Sequence, residues 1–585
     1  VLPMPDCPFN PAAENIADLI YRFGSLQSER WNNTSSLCAD YVSSDYIILH
    51  MPLTPDAVSM RVHPYYMIPS LFSPLDYNAM EASGILSAFN SPALNNQGKG
   101  VLIGLVDTGI DYRSPLFQNP DGTTRIAGIW DQSVPIEEDV LPAGVPDYYP
   151  MGGSSYGTEY TREQINEALA SDDPLSLVPT QDTIGHGTFL AGLSAGSSIP
   201  QEDFTGAAPE AELAVVKLKP AKKYLRDFYL IPSDAPAFQE NDIMMGIKYL
   251  RMMADRLKKP LVILLAMGSN SGSHIGTSPL SQVTQNYSGF FGIITVIACG
   301  NETGAAHHFY ASIPAGTEYE DVEIRVGKEE AERGFVLELW AADADTYTVG
   351  FISPSGERIS RIPIIANNET SIPFLLDATT ITVNYQLIEA ESGSQLIFMR
   401  FQTPAAGIWT VRVYNTQRFK GTFHMWLPVQ GMISEETVFL RPDPYSTITV
   451  PGNSRLPITV GAYDTSTGGI YIHSSRGFTP NQIVKPELAA PGVNILGPSV
   501  GRKPGSDTPM TTRTGTSAAA AITAGAAANL LGWGIVEGNY PTMSEASVKS
   551  YLIRGAQRNP ALTYPNREFG YGTLDLFQTF LRLRE

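Results

Sequence analysis

From Gly100 onward the chain alternates short, uninterrupted apolar runs with longer stretches whose apolar residues recur every three or four positions. The runs at 101–106, 213–218, 261–267 and 293–298 have strand length, and their lack of polar alternation predicts burial on both faces. Residues 241–257 and 279–291 carry helical spacing between them. This order predicts an α/β fold, a parallel sheet with helices on both faces. Two more helices are expected at 517–531 and 544–554, and one more buried strand at 457–462.

Past residue 317 the period shortens to two, as in Phe335-Val336-Leu337-Glu338-Leu339-Trp340 and Trp409-Thr410-Val411-Arg412-Val413-Tyr414. Alternation punctuated by turn residues predicts an all-β insertion built as a two-sheet sandwich. Ahead of the α/β part, residues 15–23 suggest a helix and 46–51 a strand, so a small α+β unit leads the chain. The proline- and aromatic-rich stretch 64–74 reads as a connector, and 79–89 as a short helix. The expected division is a leading unit at 1–78, an α/β unit at 79–316 and 433–585, and a β-insert at 317–432.

At 585 residues the chain exceeds what one hydrophobic core organises. Hydrophobic residues make up 43% and charged residues 17%, which argues against extensive disorder. A formal net charge of -20 argues against nucleic acid as a partner, because phosphate binding needs clustered Lys and Arg. No apolar run reaches membrane-spanning length, so no membrane span is expected. Three cysteines, Cys7, Cys38 and Cys299, cannot all pair and lack metal-ligand spacing, so neither a disulfide framework nor a zinc site is suggested. The sequence starts at Val1 without a charged leader, and a trimmed start would look the same, which leaves secretion open.

Four short stretches carry candidate chemistry. Asp107 ends an apolar run in Gly104-Leu105-Val106-Asp107-Thr108-Gly109, where open α/β sheets place their sites; alone, it is equally a turn former. His186 stands between glycines at the start of a small-residue helix, 188–195. Asn301 follows a buried strand, so its amide can donate to developing oxygen charge, although Gly-Asn alone is an ordinary turn. Ser517 opens the alanine-rich helix at 517–531. A serine hydroxyl becomes a nucleophile only with a base and a group that orients the base, and His186 and Asp107 are of those types.

Asp107-Thr108-Gly109, His186-Gly187-Thr188 and Gly515-Thr516-Ser517 resemble the three signatures of the subtilisin-like serine proteases, the subtilases, in that family's order. The stretch Lys485-Pro486-Glu487-Leu488-Ala489-Ala490-Pro491-Gly492 and the C-terminal Gly570-Tyr571-Gly572-Thr573-Leu574-Asp575 add to the resemblance, which covers about residues 80–315 and 435–580. It implies a subtilisin-like sheet and a serine endopeptidase acting on protein or peptide substrates. By that resemblance Ser517 is the nucleophile, His186 the base and later the acid, and Asp107 the group that orients it. Asn301 and the Ser517 backbone N–H would form the oxyanion hole. Ala266, Met267, Gly268 and Ser269 would form the edge strand that pairs with an extended substrate and borders its first side-chain pocket; as plain sequence they are a core strand.

The leading unit, the insert and Glu81-Ala82-Ser83-Gly84-Ile85 are similar to the Csp germination proteases of clostridial spores. That likeness implies a prodomain-like leading unit, cut by the enzyme itself before Glu81 and able to stay bound as its own partner. It also implies a jelly-roll-like insert, activation of a pro-enzyme by limited proteolysis, and a secreted or spore-associated rather than cytoplasmic setting. No cofactor is required; calcium, common among subtilases, has no legible ligand loop here. Ala521 stands where the family usually has proline, and Cys299 replaces a small residue and reads as a buried hydrophobe. Neither departure removes a catalytic group. A second reading is a binding or regulatory pseudoprotease whose triad is intact but covered.

Overall fold

The structure is a computed structural model and describes residues 7, 9–22, 38–43, 45–54, 59–74, 81–91, 94–135, 156–199, 204–365, 369–501 and 509–583. The leading residues form three antiparallel strands, β1 (Ile16–Arg22), β2 (Cys38–Tyr41) and β3 (Tyr46–Pro52), in the order β1-β3-β2. Over residues 16–22 the helix expected at 15–23 is therefore replaced by a strand, with Ile16 opposite Pro52 and Arg22 opposite Tyr46, while residue 23 lies outside the described residues. The reason is Asp18, which a helical pattern assigns to solvent. It is buried instead, with Oδ2 2.8 Å from the Lys222 ammonium and Oδ1 2.8 Å from His50 Nδ1.

The other His50 ring nitrogen lies 3.2 Å from Asp40 Oδ2. Burial works to lower the His50 pKa, but hydrogen bonds to the two carboxylates prevail and hold it up at about 9. Burial likewise opposes the Asp18 charge, yet Lys222 and His50 keep its carboxyl well below the usual range. Gln239 Nε2 donates to Asp18 Oδ2 at 2.9 Å, and Lys222 also donates to the Ile16 carbonyl at 3.0 Å. The leading strands are thus tied to the α/β body by a buried ionic network.

A disulfide joins Cys7 to Cys38, against the expectation of none. The odd cysteine count excludes only full pairing, and the fold brings together two residues 31 apart in sequence. Cys299 is free and buried, and burial pushes its thiol up to about 12. The connector expected at 64–74 ends in a strand, β4 (Leu71–Pro74). Of the helix expected at 79–89, residues 79 and 80 lie outside the described residues; Ile85–Phe89 is helical after a short turn at 81–83.

Next come β5 (Leu102–Asp107), β6 (Ile126–Asp131), β7 (Thr158–Thr161), β8 (Glu212–Lys217), β9 (Phe238–Gln239), β10 (Leu261–Leu265), β11 (Met267–Gly268) and β12 (Ile293–Ala298). The large sheet has the order Leu488–Pro491, Ile458–Tyr463, β12, β10, β5, β8, β6, β7, and its neighbours are parallel except for β7. In β10, Leu261, Ile263 and Leu265 join one core with Met244, Ile247 and Leu250 of the helix Glu240–Leu257. Val262 and Leu264 join another with Ala519 and Ile522 of the helix Thr516–Leu531. Alternate residues of one apolar strand therefore serve two cores, which is why the run shows no polar positions.

Helix Pro279–Ser288 stops three residues before its expected end, and Phe290 and Phe291 lie exposed. Among the described residues one helical stretch, 516–536, is long and apolar enough to cross a membrane, but 83% of its apolar window is buried inside the fold. Between Asn301 and this helix, two antiparallel sheets of six and five strands enclose a core that includes Leu337, Tyr347, Met399 and Trp409. His308–Ser312 and Val438–Phe439 also pair into these sheets.

Candidate active site

Asp107 is the last residue of β5, a central strand, and its carboxylate lies at the carboxyl edge of the sheet. His186 begins the helix His186–Ala195, and Ser517 is the second residue of Thr516–Leu531. The structure brings these three together. His186 Nδ1 is 2.7 Å from Asp107 Oδ1, and His186 Nε2 is 3.3 Å from Ser517 Oγ. A carboxylate only accepts, so Nδ1 carries the hydrogen and donates it. In the neutral ring this leaves the Nε2 lone pair facing the serine hydroxyl, the tautomer a general base needs. The side chains are nearly closed off, with His186 2% exposed and Ser517 0%.

One organising residue was not singled out from the sequence. Asp182 is buried four positions before His186, and its carboxylate accepts five hydrogen bonds. Oδ1 takes them from Thr108 Oγ1 (2.8 Å), Gly185 N (2.7 Å) and Ile184 N (3.2 Å); Oδ2 takes them from Thr188 N (2.9 Å) and Thr188 Oγ1 (2.8 Å). Thr108 Oγ1 in turn accepts from Gly187 N at 3.0 Å. The carboxylate thus caps the histidine helix and ties it to the turn after Asp107, fixing base and orienting group as one unit. The signal was available: an Asp ahead of Gly-His at a helix start is a capping residue by type.

Asn301 follows β12 and clasps the serine helix. The Thr516 N–H donates to Asn301 Oδ1 at 3.1 Å, and the Gly300 N–H donates to Thr516 Oγ1 at 3.3 Å. Because a backbone N–H fixes which end of the amide is oxygen, Nδ2 is the end left to donate. Ala266, Met267, Gly268 and Ser269 are all buried. Met267 and Gly268 pair antiparallel with Pro74 and Ser73 of β4, while β9 pairs with the other edge of β4. The edge expected to receive a substrate therefore holds an extended strand from the chain's own leading part. Among the described residues, no group of three or more His, Cys, Asp or Glu is arranged to hold a metal ion.

A doubly covered parallel sheet with an aligned Asp, His and Ser at its carboxyl edge defines a serine-hydrolase architecture. The chain belongs to the subtilase family of serine peptidases, whose model matches residues 98–352 and 441–572. The solved structure of the Clostridium perfringens CspB protease is similar to it, with a TM-score of 0.74 and 30% sequence identity, over 86% of this chain and 97% of that one. Two Arabidopsis thaliana proteins are also similar. Subtilisin-like protease SBT3.12 is 23% identical over 81% of this chain and 59% of its own length. Subtilisin-like protease SBT3.5 is 23% identical over 86% and 64%. The chain thus spans less than two thirds of these plant relatives.

Proposed function

We propose that the chain is a serine endopeptidase acting through Asp107, His186 and Ser517. The alignment of Ser517 Oγ, His186 and the Asp107 carboxylate carries this reading. Nε2 takes the hydroxyl proton as Oγ attacks a peptide carbonyl, Asp107 steadies the resulting imidazolium, and the proton then passes to the leaving amine. Water hydrolyses the acyl-enzyme by the same route. The developing oxyanion is received by Asn301 Nδ2 and the Ser517 N–H. Asn301→Ala is expected to lower kcat by roughly 10² to 10³ with KM little changed; steady-state kinetics showing an unchanged kcat would remove Asn301 from this role.

Residues 1–78 act as a prodomain in this reading, and 317–432 is a jelly-roll-like insert. The placement of β4 between β11 and β9 supports self-processing, since strand addition at that edge is how an extended substrate would bind. The cut falls before Glu81, among residues 75–80, which lie outside the described residues. The resemblance of the sequence to the Csp germination proteases supports activation of a pro-enzyme by limited proteolysis, with spore germination as the setting. A fluorophosphonate probe should label Ser517 in the wild type once the leading strand is displaced. Failure to label a folded, processed protein would favour the covered, regulatory reading instead.

A further inference from the structure

We propose that the cleft between the β-insert and the α/β body is a binding site for an uncharged oligosaccharide of flat, β-1,4-linked pyranose rings, separate from the triad. The cleft has a volume of about 870 Å³, within the range of small-molecule sites, and Asp107, His186 and Ser517 take no part in its lining. Its insert wall is one face of the six-stranded sheet. Tyr310, on the strand His308–Ser312, lies opposite His424, on Thr422–Trp426, and His424 lies opposite Trp340, on Phe335–Ala341. Their sequence neighbours Phe309, Phe423 and Leu339 belong to the sandwich core, so strand alternation turns these three rings outward, side by side, into the cleft.

The next row is aromatic too, with His308 opposite Trp426. The His308 and His424 rings lie within 18° of parallel, Trp426 within 8° of His424, and Trp426 within 5° of His274 at 4.0 Å between centroids. Tyr310, 41% exposed, is the open edge of this wall. The wall is also uncharged. His308 Nδ1 is 3.1 Å from the Asp443 carbonyl, which only accepts, so Nδ1 donates. In the neutral ring Nε2 then accepts from His424 Nδ1 at 2.9 Å, which leaves His424 Nε2 with a lone pair. Burial keeps both rings neutral, pushing His308 well below the ordinary histidine range and His424 down to about 3.

The remaining charges in the lining cancel. Lys420 pairs with Asp343 at 2.6 Å, while Arg567, stacked over the Tyr445 ring at 4.6 Å, and Asp443 add one charge of each sign. An ionic ligand would lose hydration here without gaining a net counter-charge. Facing the rings are neutral hydrogen-bonding groups, Asn481 and Gln482 from the α/β body and Ser392 and Ser394 from the insert. An aromatic wall opposed by amides and hydroxyls matches a ring with an apolar C–H face and an edge of hydroxyls. The negative faces of aromatic rings attract polarised C–H groups, and His424 Nε2 accepts from a hydroxyl. A pyranose with equatorial substituents lies flattest on such a wall, and β-1,4 linkage keeps successive rings extended along it.

The test is isothermal titration of the full chain with cellotetraose, for which a Kd of about 1 mM or tighter is expected. Maltotetraose, whose α-linkage curls the chain, should bind about 10-fold more weakly. Tyr310→Ala should weaken cellotetraose binding by about 10-fold, and Tyr310→Phe should leave it within about threefold, because the ring supplies the contact. Asn481→Ala, at an exposed position, should cost about threefold or more and serves if Tyr310→Ala misfolds. No saturable binding of cellotetraose up to about 5 mM overturns the proposal, as does binding unchanged in both alanine variants, which would place the sugar elsewhere. Maltotetraose bound as tightly as cellotetraose overturns the flat-ring selectivity. A cleft that takes acetyl-Phe-Phe-amide and refuses cellotetraose is a peptide site and equally overturns it. None of these outcomes depends on Ser517, so fluorophosphonate labelling and sugar binding succeed or fail separately.

Discussion

Ser517→Ala is expected to lower kcat by about 10⁶-fold while leaving KM nearly unchanged. On the peptidase reading proposed above, the serine, histidine and aspartate act as one unit: without Oγ there is no bond to form, and His186 has no proton to take. On the same reading an extended substrate would bind along the β11 edge, which the substitution does not touch. Ser517 is fully buried with His186 as its hydroxyl partner, so removing one oxygen should leave the fold intact, as circular dichroism would verify. The same variant should accumulate chain with its leading segment uncut. Peptide hydrolysis within about tenfold of wild type, well short of the loss expected for a triad residue, would place the nucleophile elsewhere.

The second large effect concerns stability. Asp18→Ala strands Lys222 and His50 in a buried setting without their shared carboxylate, at an expected cost of about 3–5 kcal/mol, the usual penalty for breaking a buried ion pair from one side. Urea unfolding should show it, and a loss of less than about 1 kcal/mol would mean the network carries little energy. The pH dependence has a definite direction. His50 is raised to about 9, so its contribution is complete below about pH 6.5 and fades as the pH climbs through 9. Asp18 is lowered, so its contribution holds above about pH 4 and disappears only in stronger acid. Wild type should therefore lose stability between pH 6.5 and 9, and His50→Gln should flatten that slope.

What could be read directly were the elements whose residues agree with their neighbours in the chain. The β10 and β12 runs are apolar because both faces are covered, and the helix 240–257 keeps helical spacing throughout. What could not be read were features set by distant partners. Residues 15–23 looked helical because Lys222, the buried partner of Asp18 more than two hundred residues away, was invisible to a local pattern. Leu71–Pro74 looked like a connector because its ladder partners, β9 and β11, lie far along the chain. The triad was legible from its flanking glycines and threonines. The packing of Thr449 against both Gly268 and Gly300 was not, since it joins three segments far apart in the chain.

The hydrogen bonds from Thr449 to Cys299 have a further consequence, for loop closure. They pin together the two ends of the whole excursion through the β-sheets, roughly 150 residues, so the α/β body meets it as a single closed loop. The entropy of closing such a loop grows only with the logarithm of its length, about 0.6 kcal/mol per doubling. The closure entropy therefore changes little if the excursion lengthens or shortens, provided the latch between residues 299 and 449 stays shut and the face carrying Trp340 and Phe398, which packs on Tyr65 and Phe228, is kept.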